Sequence, residues 1–343
     1  MVHIVDVPRM AAWIREAGAE ARIAGIAGAI EADFRDWERF DKRPRVAHHS
    51  PDGVIELMPT TNNELYAVKY VNGHPINPGR GLQTVVGLGI LSDVNTGYPL
   101  LISEMTLLTA LRTAATSALV ATYLAPRDAE RMTLIGTGSQ SEFQALGFRA
   151  LLGITSLALW DTDPAALVKA ERNLTALGFD VRVAASAADA VRGSEIITTC
   201  TADKALNTVL ANDMVRCGVH INAIGGDCPG KTELDPSILQ RARIFVEYEP
   251  QTRIEGEIQH LPAGHAVTEM WRVMRGEASG RVSGEEITVF DSVGFAIEDF
   301  SALRYLRENL EASTPSADLL ASPTDPKDLF SLVGATASQP TLA

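Results

Sequence analysis

One stretch decides the fold: Arg131-Met132-Thr133-Leu134-Ile135-Gly136-Thr137-Gly138-Ser139-Gln140, an apolar run that leads into a Gly-x-Gly turn. About 25 residues later a second apolar run, Leu157-Ala158-Leu159-Trp160-Asp161, ends in an acidic residue. This is the order of a dinucleotide site, in which glycines let the backbone approach a pyrophosphate and the next helix presents free N–H groups to it. The acidic residue is then available for the ribose hydroxyls. The sequence therefore predicts a nucleotide-binding strand–helix–strand unit.

The residues around the second strand favour NAD over NADP. Asp161 is followed by no arginine or lysine before Lys169, and this favours a free ribose 2′-hydroxyl. Asp163 is an alternative ribose partner, or a cap for a helix that begins at Pro164. The third glycine of the usual fingerprint is replaced by Ser141, so a purely structural turn in a Rossmann-like domain is the competing interpretation.

The chain beyond this turn alternates between strand and helix patterns. Strands are predicted near 132–135, 156–160, 180–184, 195–199, 219–223, 243–247 and 287–290. Helices are predicted near 140–152, 164–177, 186–192, 235–241 and 294–309. Such alternation indicates a parallel, doubly wound sheet.

The chain before the turn has a different pattern. Apolar spacing predicts a helix over 8–40, and turn signals then separate short strands near 54–58, 65–70, 85–91 and 98–102. Strands at this spacing without helices between them indicate an antiparallel sheet. Ser103 is expected to cap a helix over 104–124.

We therefore expect an α/β protein with two domains. Residues 115–311 form the Rossmann domain, and residues 1–114, with a return of 312–343, form an α+β domain with a largely antiparallel sheet. The segment from about residue 312 is rich in Ser, Pro and Thr and is expected to be a loose tail, apart from a return to the first domain at 325–333.

Charge and composition exclude several classes of partner. The 343-residue chain has 30 basic and 43 acidic residues, a net charge of −13, which argues against nucleic acid and anionic membranes. The most apolar region, 85–124, is interrupted by Asp93, Glu104 and Arg112, so no membrane span is expected. Three cysteines without metal-ligand spacing indicate a reduced cytoplasmic protein, and no metal site is expected.

Several charged residues stand in apolar surroundings. Arg112, on a helix of small and apolar residues, is either a structural ion pair or a clamp on a carboxylate or cofactor. The strand pattern around Lys69 favours a solvent-facing lysine, and a surface role is the default for Arg45. Glu56 must be paired or protonated if its face of the strand is buried.

A second glycine-rich segment follows the strand predicted near 219–223: Gly225-Gly226-Asp227-Cys228-Pro229-Gly230-Lys231-Thr232-Glu233-Leu234. Strand ends on this side of a doubly wound sheet carry the ligand, so Asp227 could reach the reacting centre with Lys231 as a fixed positive charge. The alternative is an ordinary turn in which Asp227 is a cap.

Taken together, these residues resemble the ornithine cyclodeaminase/μ-crystallin family over roughly residues 4–333. The resemblance depends on matched segments in order along the chain: Arg45-Val46-Ala47-His48-His49-Ser50, Val54-Ile55-Glu56-Leu57-Met58-Pro59, Lys69-Tyr70-Val71-Asn72-Gly73-His74-Pro75, Ala110-Leu111-Arg112-Thr113-Ala114-Ala115-Thr116-Ser117, the Gly225–Leu234 segment, Val246-Glu247-Tyr248-Glu249-Pro250-Gln251-Thr252-Arg253-Ile254-Glu255-Gly256-Glu257, and Val289-Phe290-Asp291-Ser292-Val293-Gly294.

The resemblance implies conversion of L-ornithine to L-proline and ammonia with tightly held NAD, in a homodimer formed through the non-Rossmann domain. It implies that Arg45, Lys69 and Arg112 hold the amino-acid carboxylate, that Val293 touches the substrate, and that Asp227 is the acid/base group. Glu56 would orient a water or the substrate amine. The residues implied to line the cofactor, with the glycine turn, are Thr84, Arg112, Gly136, Gly138, Ser139, Gln140, Asp161, Thr201, Lys231 and Ser292.

Two other functions fit the same scaffold. One is a net oxidoreductase, such as a ketimine reductase or an alanine dehydrogenase. The other is a ligand-binding protein without catalysis, against which Asp227, Lys231 and the three cationic residues argue because a pure binder needs no proton carrier. Within the cyclodeaminase interpretation lysine is an alternative substrate, since one extra methylene changes binding by only about 1–3 kcal/mol.

Overall fold

Two β-sheets organise the chain in a computed structural model that describes residues 2–202, 208–311 and 316–334. Within these residues the first sheet has seven strands: six in the neighbour order β1-β6-β5-β4-β3-β2, and a short strand at Ser316–Ala317 (β15) on the other side of β1. All its pairs are antiparallel except β1 with β6. Its strands are Val2–Val5 (β1), Val46–Ser50 (β2), Gly53–Thr61 (β3), Leu65–Gly73 (β4), Gly87–Asp93 (β5) and Pro99–Glu104 (β6). The predicted antiparallel sheet is confirmed, with β1 and β2 as additions.

The helices of this first half differ from the prediction at two points. They are Val7–Ala17 (α1), Ala19–Arg35 (α2) and Thr106–Leu124 (α3). The single helix predicted over 8–40 is wrong, because Gly18 has a φ of 87° and separates α1 from α2. The predicted Ser103 cap is also wrong: Ser103 donates to its neighbour's carbonyl, while the Glu104 carboxylate accepts from the first N–H groups of α3.

The second sheet is fully parallel, and its neighbour order is β13-β12-β14-β11-β10-β7-β8-β9. Its strands are Arg131–Ile135 (β7), Ser156–Trp160 (β8), Asp180–Val183 (β9), Ile196–Thr199 (β10), His220–Ala223 (β11), Arg243–Val246 (β12), Thr268–Glu269 (β13) and Thr288–Asp291 (β14). The helices are Ser141–Leu152 (α4), Pro164–Ala176 (α5), Ala187–Ala190 (α6), Pro236–Arg241 (α7), Glu249–Glu255 (α8), Met270–Met274 (α9) and Ala296–Glu308 (α10). The predicted α/β fold with a doubly wound sheet is confirmed.

Two segments connect the C-terminal part of the chain to the first sheet. Helix α10 packs on α2 and on strands β3, β4 and β5, and Ser316–Ala317 (β15) pairs with β1. The return therefore runs through 316–317. The return predicted at 325–333 is wrong, because every residue of that segment is exposed, including the short helical turn at Leu329–Leu332. The domain boundaries at 114/115 and 311/312 stay a prediction, and residues 312–315 and 335–343 lie outside the described residues.

Helix α3 joins the two halves of the core. It packs against α2 on one side and α4 on the other, and most of its side chains are buried. It is long and apolar enough to cross a membrane, but 78% of its apolar window is buried inside the protein. Arg112 lies in the middle of this helix and needs an anionic partner there.

Candidate active site

The carboxyl ends of the parallel strands carry most of the predicted site residues. The turn after β7 begins at Gly136, whose φ is 97° and where an added Cβ would lie 2.8 Å from the Cys200 carbonyl. Only glycine fits this close approach. Helix α4 follows with Gln140 as its N-cap and without a side-chain cap, so its first N–H groups are not covered by a side chain. An added Cβ at Gly138 would meet no atom within 4 Å, which leaves room beside that helix end.

Asp161 lies at the end of β8, next to this turn. Its Oδ2 accepts from the Thr137 N–H at 2.6 Å and from the Thr137 hydroxyl at 3.0 Å, and its Oδ1 accepts from Asp163 N at 2.9 Å. A carboxylate has about four lone-pair positions, so one remains for a ribose hydroxyl. Asp163 caps α5 by accepting from Ala165 N, which supports the cap over the ribose alternative. In place of the third glycine, the buried Ser141 donates its hydroxyl to the Gly138 carbonyl.

The loops after β10 and β11 bring a lysine to the same edge. Lys231 is 4% exposed, and its Nζ donates to the Thr201 carbonyl at 2.8 Å. The Asp227 Oδ1 lies 3.8 Å from this Nζ, and the Asp227 side chain is 56% exposed. Asp227 is therefore a carboxylate at the mouth of the site, beside a fixed positive charge.

Arg45 enters the site from the start of β2, where it is clamped between two carboxylates. Its Nη1 donates to Glu56 Oε2 at 3.0 Å, and its Nε lies 3.1 Å from Glu255 Oε2. Its Nη2 donates to the carbonyls of Val293 and Gly294. The side chain is only 6% exposed, so the expected surface role is wrong.

Lys69 and Arg112 share one buried carboxylate. Lys69 Nζ lies 2.8 Å from both oxygens of Asp299, and Arg112 Nε lies 3.0 Å from one of them. Arg112 Nη1 also donates to Glu298 Oε2 at 2.8 Å. The solvent-facing Lys69 that the strand pattern favours is wrong, because α10 covers this face of β4 and leaves Lys69 1% exposed.

A turn after β14, at the carboxyl end of the parallel sheet, contacts Arg45 and Arg112. The fully buried Glu247 accepts from the Ser292 hydroxyl at 2.5 Å and from the Gly294 N–H at 3.1 Å. Gly294 has a φ of 74°, and an added Cβ there would lie 2.9 Å from Arg112 Nη1. The turn thus packs directly against the guanidinium group, with Val293 buried beside it.

Two residues predicted to contact the cofactor are exposed or only partly buried. Ser139 is exposed on the glycine turn, and Thr84 is half-buried in the loop before β5, where its carbonyl accepts from His74 N at 2.8 Å. Their contact with a cofactor stays a prediction.

Sequence reasoning missed four buried acids: Glu247, which holds the turn after β14, and Glu255, Glu298 and Asp299, which pair with the cations. The last two form an acidic pair inside the otherwise apolar start of α10, a signal that is visible in the sequence. Paired charges in such a run need partners elsewhere in the fold.

Burial shifts several pKa values in this cluster. It lowers the pKa of Lys69 to about 8, although the Asp299 carboxylate acts in the opposite direction. It raises the pKa of Glu255 to about 7 against the positive charge of Arg45. Burial also lowers the pKa of Arg45, but Glu255, Glu56 and Asp227 outweigh it and the net shift is upward. These mutual effects indicate that Arg45, Glu255 and Asp227 are electrostatic neighbours.

The model of the ornithine cyclodeaminase/mu-crystallin family matches residues 8–314. The chain belongs to this family. It is 57% identical to an ornithine cyclodeaminase of Agrobacterium fabrum over 335 residues, which cover 97% of this chain and 95% of that protein.

Two solved structures have a similar fold over most of the chain. A lysine cyclodeaminase, described with L-lysine, L-ornithine and L-2,4-diaminobutyric acid, gives a TM-score of 0.83 at 30% identity and covers 90% of this chain and 92% of that one. An archaeal alanine dehydrogenase, described as a dimer with bound NAD, gives a TM-score of 0.81 at 31% identity over 90% of this chain and 95% of that one.

Proposed function

We propose that the chain is an ornithine cyclodeaminase that converts L-ornithine to L-proline and ammonia with bound NAD. One observation carries the proposal: the 57% identity, over nearly the full length of both chains, to the Agrobacterium fabrum ornithine cyclodeaminase. The geometry supports it, because a dinucleotide turn and an exposed carboxylate follow strands of the parallel sheet, and two of three buried cations, Arg45 and Arg112, contact the turn after β14.

The residues at the nucleotide edge fit NAD. Gly136 allows the turn to approach Cys200 closely, and Gly138 leaves space for the pyrophosphate beside Ser139, Gln140 and the start of α4. Asp161 retains an acceptor for the ribose. Lys169 is engaged by Glu142 at 2.9 Å and by the Gly138 carbonyl, which agrees with a free ribose rather than a 2′-phosphate. We assign the remaining wall of the site to Thr84, Arg112, Thr201, Lys231 and Ser292. When bound, NAD accepts a hydride from the substrate and returns it.

We assign the amino-acid carboxylate to Arg45, Lys69 and Arg112. Lys69 and Arg112 share the Asp299 carboxylate, and Arg45 donates to the carbonyl of Gly294, which packs against Arg112. Buried carboxylates and this turn thus hold the three cations in fixed positions, where a substrate carboxylate would be bound by preorganised donors. Val293 borders this place and would contact the substrate side chain.

Asp227 carries the proton in this proposal. It takes a proton from the α-ammonium group of ornithine and later assists the loss of ammonia, while Glu56 orients a water or the amine. The δ-amine closes the five-membered ring on the α-carbon, and closure is favoured because the attacking group is already tethered. The hydride that leaves is returned, so no net oxidation occurs.

The deciding assay uses L-ornithine and NAD at catalytic concentration. We expect proline and ammonia in equal amounts, without lasting absorbance from NADH. Ammonia that appears only with stoichiometric NADH would instead establish a net oxidoreductase, the activity named for the alanine dehydrogenase of the same fold. Parallel assays with L-lysine would measure the contribution of one methylene.

The Lys69 charge predicts a fall in activity at alkaline pH. With a pKa of about 8, Lys69 is charged below this pH and neutral above it, and only the charged form attracts a carboxylate. We therefore expect kcat/KM for ornithine to fall by up to about ten-fold per pH unit above pH 8. K69R should have a lower kcat/KM that stays flat over the same range. An equal fall in both enzymes would assign the titration to the substrate.

We also propose a homodimer through the outer face of the first sheet. Val46, Leu57, Tyr70 and Leu88 are directly opposite one another on four neighbouring strands, and all are exposed. A second copy would cover this apolar row. We expect L88K to shift the molar mass from light scattering towards the monomer, whereas V168K, at an equally exposed valine on α5, should not. A dimeric L88K protein would contradict this assignment.

A cytoplasmic location, and the absence of nucleic-acid, membrane and metal partners, stay predictions from composition and charge.

A further inference from the structure

The loop that carries Asp227 and Lys231 is held by two side chains outside it. Glu257 Oε1 accepts from Glu233 N at 2.8 Å, and Glu257 Oε2 accepts from Leu234 N at 3.0 Å. Gln259 Oε1 accepts from Gly230 N at 2.6 Å, and its Nε2 donates to the Lys231 carbonyl at 2.9 Å. Four hydrogen bonds therefore fix the backbone on the C-terminal side of Asp227.

We propose that Glu257 and Gln259 are positioning residues that set the place of Asp227 and Lys231 in the site. The proposal rests on the proposed function for its kinetic part. It gives a role to the end of the 246–257 segment, which carries part of the family resemblance but has no assigned function.

The segment that carries Glu257 and Gln259 is held by hydrogen bonds to the parallel sheet. Asp291, the last residue of β14, is fully buried and accepts from Glu257 N and Ile258 N, each at 2.9 Å. The next residue, Ser292, begins the turn that packs against Arg112. The end of β14 thus supports both the turn that contacts Arg45 and Arg112 and, through Glu257, the loop that carries Asp227.

The loop is shaped to fit against Glu257. An added Cβ at Gly226 would lie 2.6 Å from Glu257 Oε1, so this glycine allows the loop to approach the carboxylate closely. Gly226 immediately precedes Asp227. The carboxylate therefore contacts the loop on both sides of the reacting residue, at Gly226 and at Glu233–Leu234.

A buried glutamate at position 257 is energetically unfavourable if its role is only structural. Glu257 is 1% exposed, and its burial raises its pKa to about 8 against the lowering effect of the two N–H groups. A buried acid adds little to stability compared with an apolar residue of similar volume, but it fixes its partners at defined distances. A displacement of about 1 Å at a reacting group can lower the rate about 100-fold, which makes such a constraint valuable here.

The test compares E257Q and Q259A with E249Q. Glu249 belongs to the same segment, but its side chain is 41% exposed and forms an ion pair with Arg253 on the protein surface, so E249Q is a matched control. We expect kcat to fall about 10- to 100-fold in E257Q and Q259A, with the ornithine KM within about two-fold of wild type, because Arg45, Lys69 and Arg112 lie on other elements. E249Q should retain both constants.

Hydrogen exchange of the peptide covering 225–234 gives a readout that does not depend on activity. The amides of Gly230, Glu233 and Leu234 should exchange faster in the two variants and unchanged in E249Q, while α3 keeps its protection. Wild-type kcat in Q259A, or unchanged exchange at 225–234 in a folded variant, would overturn the proposal. A uniform loss of protection would mark a structural role only. If the wild type forms no proline, the proposed function fails, and exchange alone then decides the loop assignment.

Discussion

Replacing Asp227 by alanine should abolish proline formation while NAD stays bound. In the proposed reaction Asp227 is the group that takes and returns the proton, and general acid–base catalysis contributes about 10²- to 10⁴-fold. Its side chain is 56% exposed and its contact with Lys231 is 3.8 Å long, so removing the carboxylate should leave the fold intact. Rapid-quench measurement of proline, with tryptophan-to-NADH energy transfer as the test of cofactor binding, would check both parts.

The isosteric variant D227N provides the control for this experiment. It retains the shape and the loop but not the proton transfer, so it should be as inactive as D227A. Cofactor affinity should change little in either, because Lys231 retains its bond to the Thr201 carbonyl. Proline formation at the wild-type rate in D227A would remove Asp227 from the mechanism.

The nucleotide half of the site could be predicted because its signals are local. Gly136 and Asp161 terminate consecutive strands, and the hydrogen bond from Thr137 N to Asp161 spans only 24 positions of sequence. Strand ends of a parallel sheet meet at one edge, so the order of residues already determines which side chains converge. The parallel sheet could be predicted for the same reason, because the alternation of strands and helices after residue 131 is a local pattern.

The substrate half could not be read from local patterns. Lys69 stands in a strand whose alternation suits one solvated face, but α10 returns from 230 positions further along the chain to cover it. Arg112 reaches Glu298 across 186 positions. The residue patterns of β4 and α3 carry no information on where α10 packs. The ion pairs of Lys69 and Arg112 with α10 could therefore be seen only in the structure. Two smaller predictions were also wrong. The left-handed backbone of Gly18 breaks a helix that the apolar spacing predicts as continuous, and Glu104 rather than Ser103 caps α3.

The shared carboxylate of Asp299 should have the second large effect. Asp299 holds Lys69 and Arg112 together, and all three side chains are nearly inaccessible to water. Breaking a buried ion pair by neutralising one partner costs about 3–5 kcal/mol, because the remaining charge is left uncompensated. We expect D299N to lose this much free energy of unfolding in urea titrations. E249Q, at a partly exposed pair, should lose at most about 1 kcal/mol.

D299N should also change the pH dependence of catalysis, in a direction that identifies the cause. The negative charge of Asp299 raises the pKa of Lys69 against burial, so its loss should move the alkaline fall in kcat/KM to a pH below 8. Adding K69M to D299N removes the unpaired cation and should restore part of the lost stability without restoring activity, a coupling that a double-mutant cycle measures. If D299N were as stable as the wild type and lost activity at the same pH, the charge of Lys69 would have to be set by other groups, and the carboxylate site proposed around it would lose its main support.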